Sequence, residues 1–149
     1  AERGATDASG QVRLAVALGS RVGPATVTAT VGAIRREVTL TALAGPAARI
    51  AVACGRGAPA EQLTIGTGGA SQLRIVVQDA LGNPLPVTGL RIAVGDERVV
   101  RVTSAAGGET GGSVTFQPVA AGSTSVSVFA SGVRENYAII VARGGPVCQ

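Results

Sequence analysis

The chain has 149 residues, 46% of them hydrophobic, with a mean hydropathy of +0.37, so a packed core is within reach and disorder is not expected. Its 13 basic residues are all Arg, set against 9 acids and spread over the whole length, and aromatics make up only 2%; the clustered cations and interleaved aromatics of a nucleic-acid surface are missing, and no such partner is expected. With no His there is no imidazole base, no triad of the usual kind and no His-based metal site, and no run approaches the eighteen or so apolar residues of a membrane helix, so neither an enzyme nor membrane insertion is expected.

Alternation begins at Gln11, with Val12, Leu14, Val16 and Leu18 on one face, which predicts a strand over 11–18. Two more follow over 25–31 and 38–42, the first with Thr26, Thr28 and Thr30 outward. Ala44-Gly45-Pro46 breaks the pattern, because Pro offers no donor to a ladder. A new set of strands is predicted over 49–54, 62–65, 71–79, 90–94, 98–103, 113–117, 123–130 and 136–142, separated by turns. The glycines at 107, 108, 111 and 112 read as a flexible hairpin. No window shows helical spacing, so the chain is expected to be all β, with short strands packed as two antiparallel sheets.

One pattern occurs twice. Gly23 to Val31 lies over Gly122 to Phe129 and Ala130 at an offset of 99, and the same offset sets Val38 on Tyr137, Leu40 on Ile139 and Ala42 on Val141. A period of that length is one β-sandwich domain. The expected organisation is a partial domain over 1–44, matching only the last three strands of a complete domain over 45–144, with a tail over 145–149. Gly145-Pro146 repeats Gly45-Pro46, so the chain is expected to open within one domain and stop at a junction.

The segment Val77-Gln78-Asp79-Ala80-Leu81-Gly82-Asn83-Pro84-Leu85-Pro86-Val87 resembles the strand and turn of bacterial Ig-like domains of the invasin and intimin type, and Thr6 to Val12, continued by Ala25 to Val31, is similar to the second half of the same family. The resemblance implies an Ig-like β-sandwich, an extracellular or cell-surface location, and a mechanical or binding role; no cofactor is expected. In an Ig-like topology Cys54, at the end of the first strand of the complete domain, and Cys148, after its last, reach the same pole, so a disulfide is expected; two free thiols, or a Cys148 bonded to another chain, are the alternatives. Asp79, Asp96 and Glu97 are read as a turn former and a solvated tip, with no metal site.

Three strands with one apolar face would leave Val12, Leu14, Val16, Val27, Val31, Val38 and Leu40 uncovered, at a cost on the order of 10 kcal/mol for ~100 Å² per side chain and ~25 cal/mol per Å². These residues are the expected assembly face. The expected function is an extracellular structural subunit of a surface filament, fibre or stalk, joined by β-strand complementation to further copies or to upstream Ig-like domains. The alternatives are an adhesin fragment binding a receptor through loops at 55–60 and 105–112, and an accessory Ig-like domain of a larger secreted protein.

Overall fold

The computed structural model describes residues 3–148; Ala1, Glu2 and Gln149, which end the expected first domain and tail, lie outside them. The chain divides after Leu43 into two units. Eleven strands and no helix are formed among the described residues.

Unit 1 contains one hairpin, β1 (Gly23–Val31) and β2 (Ile34–Ala42), paired antiparallel from Gly23↔Ala42 to Val31↔Ile34. The expected strand over 11–18 is not formed, which corrects the three-strand reading of residues 1–44 to two strands. Its period-two pattern is real, but a strand exists only where a ladder partner takes up its N–H and C=O groups, and none pairs with it here. The leading segment instead folds around a tight turn at Asp7. Asp7 N–H bonds Gln11 C=O, and Asp7 Oδ1 accepts from the N–H groups of Ser9 and Gln11 and from the Ser9 hydroxyl.

Unit 2 is a two-sheet sandwich. One sheet has five strands: β3 (Ala47–Cys54), β5 (Ser71–Asp79), β9 (Gly111–Pro118) and β8 (Val100–Gly108) in that order, with the two-residue β6 (Pro84–Leu85) also paired to β5. The other runs β4 (Gln62–Gly66), β11 (Val133–Ala142), β10 (Gly122–Ala130) and β7 (Arg91–Val94). Its pairing is antiparallel except that β4 lies parallel to β11, where the expectation was antiparallel throughout. Strand β4 follows β3 in sequence but crosses to the opposite sheet, and so meets β11 running the same way.

The core is aliphatic, as the near absence of aromatics requires. Ile65, Leu73, Ile75, Val77, Val114, Val126, Val128, Ile139 and Val141 pack around Phe116. Tyr137 ties the two sheets, its hydroxyl donating to the Ile50 carbonyl at 2.7 Å, and burial pushes that phenol up to about 12.

The glycines at 107, 108, 111 and 112 lie in a hairpin, as expected, closed by a turn at Glu109-Thr110. The β8–β9 ladder continues through them to Gly108↔Gly111, and the backbone of Val87 runs against them with its N–H on Gly108 C=O. A Cβ at Gly107 would stand 2.2 Å from Val87 O. Glycine at 107 permits this close backbone approach.

Candidate functional site

Two features of the molecule stand out: an open apolar face on unit 1, and a pair of polar grips on the chain where it enters and leaves unit 2.

The open face follows from the hairpin's register. Val27 pairs with Val38, Ala25 with Leu40 and Val31 with Ile34, so these side chains share one face. The opposite face is polar, with Thr28 donating to Glu37 at 3.4 Å and Arg35 paired to the same carboxylate. Every pair of this hairpin maps onto β10–β11 by adding 99 to both partners, from Gly122↔Val141 to Ala130↔Val133. The surroundings differ. Val126, Val128, Ile139 and Val141 are at most 2% exposed, sealed by the opposing sheet and flanked by β7 and β4, whereas Val31, Ile34 and Val38 are 75%, 64% and 59% exposed.

The seven residues expected to form an assembly face are thus placed in two groups. Val27, Val31, Val38 and Leu40 lie together on the hairpin, with Val27 half-buried and the others exposed. Val12, Leu14 and Val16 lie on the leading segment, also exposed and outside the ladder, with Gly4 tucked against Val12 and Leu14.

The grips on unit 2 come from the two ends of β5. Its inward side chains read Ser71, Leu73, Ile75, Val77, Asp79, so three apolar residues are bracketed by the two buried polar residues of the described chain. At one end Asp79 Oδ1 accepts from the N–H groups of Leu81 and Asn83, while Oδ2 accepts from the Asn83 amide and from Gly45 N–H at 3.0 Å, the point where the chain enters the unit. The Asn83 amide is the main reason that the Asp79 carboxyl is lowered to about 2, with the three N–H groups adding to it and burial opposing. At the other end Ser71 Oγ accepts from Cys148 N–H, and Gln72 N–H donates to Cys148 C=O at 2.8 Å. Pro146 C=O takes Gly66 N–H, and Cys148 is bonded to Cys54 with their Cα atoms 5.1 Å apart.

Sequence reasoning took Asp79 as a turn former and did not see that it also holds Gly45. A signal was present. Asp7-Ala8-Ser9-Gly10 repeats Asp79-Ala80-Leu81-Gly82 at an offset of 72, and the two turns share the same backbone bonds, Asp N–H to the fifth residue's C=O and Gly N–H to Asp C=O.

The remaining candidates are separate. Asp96 accepts from the backbone and guanidinium of Arg98, and no group of three or more His, Cys, Asp or Glu able to hold a metal ion occurs among the described residues. An open groove of about 1010 Å³ runs past Pro46, Leu85, Ile92, Phe129 and Val133, with the Arg134 guanidinium 5.1 Å from the Phe129 ring centroid; no carboxylate or thiol is among its lining residues.

No family model and no curated protein matches this sequence. Among solved structures the chain is similar to domains 4–9 of the surface layer protein SbsC, with a TM-score of 0.52 and 23% identity, covering 86% of this chain and 19% of that one. A crystal structure of SbsC domains 4 and 5 aligns with a TM-score of 0.50 and 21% identity, covering 81% of this chain and 58% of that one. Invasin, a bacterial integrin-binding protein, aligns with a TM-score of 0.43 and 20% identity over 93% of this chain and 28% of its own. The chain therefore spans about a fifth of the SbsC segment it matches first. At such identities the likeness speaks to the fold alone, and that fold is an Ig-like β-sandwich.

Proposed function

We propose that this chain is a structural segment of an extracellular surface filament, fibre or stalk, in which Ig-like units are joined in series and unit 1 is completed by β-strand complementation. The observation that carries the reading is the contrast between two hairpins of identical register, one sealed and one open. In unit 2 the outer edge of β11 is filled by the parallel strand β4 over Ala138↔Gln62 to Ala142↔Gly66, and β7 lies on the outer edge of β10. Among the described residues no strand lies on the equivalent edges of β2 and β1. A two-stranded hairpin is at best marginal in water by itself. Covering Val31, Ile34, Val38 and their neighbours returns ~1–2 kcal/mol each, on the order of 5–10 kcal/mol in total.

The completing strands come from another Ig-like unit, in another copy of the chain or upstream in the same polypeptide. Surface-layer neighbours made of several domains support units in series, and a disulfide suits an oxidising, extracellular setting. For the adhesin alternative, residues 105–112 form the exposed end of the β8–β9 hairpin, with the turn at Glu109-Thr110.

Sedimentation velocity over a range of concentrations, with electron microscopy of any polymer, tests the proposal. Concentration-dependent association abolished by Leu40→Asp means that another copy completes unit 1. A monomer whose residues 23–42 gain amide protection only when a longer upstream segment is expressed with it means completion from upstream. Monomers with slow exchange throughout residues 3–43 would overturn the proposal.

A further inference from the structure

The chain enters unit 2 at Gly45, held by Asp79, and β3 then carries it the length of the neighbouring strand, from Ala47 beside Asp79 to Cys54 beside Leu73. At that far end the disulfide crosses to Cys148, where the chain leaves. We propose that unit 2 is an inextensible load-bearing link, in which tension applied between unit 1 and residue 149 runs along β3 and through the Cys54–Cys148 bond, bypassing the rest of the fold. The inference rests on the structural role proposed above, and it does not depend on how unit 1 is completed.

The load path follows from connectivity. Cys54 and Cys148 are 94 residues apart in sequence, so the bridge closes a loop containing β4 to β11, and no force between the two ends is transmitted through that loop. What remains on the path is β3, which is already extended. A strand rises about 3.3 Å per residue and a fully stretched chain reaches at most about 3.6 Å, so drawing β3 taut adds only a few ångströms. Opened, the loop would release 94 residues, or roughly 330 Å at about 3.5 Å each.

Without the bridge the same tension would pass from β3 in one sheet to the end of β11 in the other and pull the sandwich apart. The hydrogen bonds that hold residues 146–148, from Gly66, Gln72 and to Ser71, would then be loaded one after another. Single hydrogen bonds of this kind contribute only about 0.5–1.5 kcal/mol each, whereas the disulfide is covalent. Cys148 is buried, which shields the bond from reductants in the folded state.

The test is single-molecule stretching of the full 149-residue chain between handles at its two ends. In the oxidised chain the lengthening expected is that of unit 1 alone, at most about 150 Å for its 43 residues. The Cys54→Ser/Cys148→Ser variant is expected to show a further step of roughly 330 Å. If that variant does not fold, wild-type chain reduced by a dithiol in urea and refolded with the dithiol present replaces it; the dithiol becomes a cyclic disulfide as the bridge becomes two thiols. Thermolysin added under load gives the second reading. Residues 55–147 of the oxidised chain should resist cleavage at a force that exposes them in the bridge-free chain. The proposal is overturned if the oxidised chain yields the long step, or if both chains are cleaved under load at the same rate.

Discussion

Removing the Cys54–Cys148 bridge should lower the stability of unit 2 by about 4–5 kcal/mol. The tail is held by more than the bond, since Pro146 and Cys148 also make hydrogen bonds with Gly66, Gln72 and the Ser71 hydroxyl, none of which involves a sulfur. The loss is therefore expected mainly through the unfolded state. For a loop of 94 residues the chain-entropy argument gives about 16 cal/mol/K, or about 4.7 kcal/mol at 25 °C. At about 2.1 cal/mol/K of unfolding entropy per residue, unit 2, running from Ala44 to Gln149, has roughly 0.2 kcal/mol/K, so its midpoint should fall by about 20 °C. The assay is calorimetric unfolding of the oxidised chain beside the Cys54→Ser/Cys148→Ser variant and beside wild-type chain held reduced, the last controlling for the introduced hydroxyls. A fall of less than about 5 °C in both would refute the reasoning, since it would mean that the loop is not closed or that the bond is offset by native strain.

The hairpin equivalence predicts that Ile139→Ala, at a site 1% exposed, destabilises unit 2 by about 2–5 kcal/mol with a cavity term included, while Leu40→Ala, 37% exposed, costs less than about 1.5 kcal/mol in the uncompleted chain; urea unfolding of unit 2 and hydrogen exchange over 23–42 read the two. Asp79, lowered from 3.8 to about 2, is ionised in the native state at a pH where the unfolded chain is already taking up protons, so the stability it contributes is complete above about pH 4 and is lost as pH falls through about 2. Asp79→Asn should destabilise unit 2 at neutral pH, by presenting an amide N–H₂ to the Gly45 or Asn83 donors, and should flatten that acid limb; thermal midpoints from pH 2 to 7 check both. Gly107→Ala, whose Cβ would meet Val87 O at 2.2 Å, should cost about 1–3 kcal/mol through displacement of the Val87 backbone, whereas Gly132→Ala, where nothing lies within 4 Å but φ is +82°, should act only through backbone strain; denaturant midpoints of the two variants separate these causes.

Much of the fold was legible because alternation is local. Residues such as Leu73, Ile75 and Val77 state by their spacing which side of a strand is buried, and the 99-residue offset carried the register of β10–β11 onto β1–β2. The strand expected over 11–18 has the same kind of spacing and is not formed, since alternation says which face would be buried and cannot supply the neighbour that closes the ladder. The two-residue β6 is too short to show any period.

Taken alone, the order of amino acids determined the all-β class, the aliphatic core, the break at Gly45-Pro46 and the near-duplicate hairpins, all of them properties of neighbours in the chain. Only the tertiary structure decided that β4 lies parallel to β11, that Asp79 reaches back 34 residues to Gly45, and that Ser71 holds Cys148 at the opposite end, beside the disulfide to Cys54 that the Ig-like resemblance led one to expect. Those are pairings between distant segments. They depend on which sheet each strand joins and where each end of β5 comes to rest, and no local pattern encodes either.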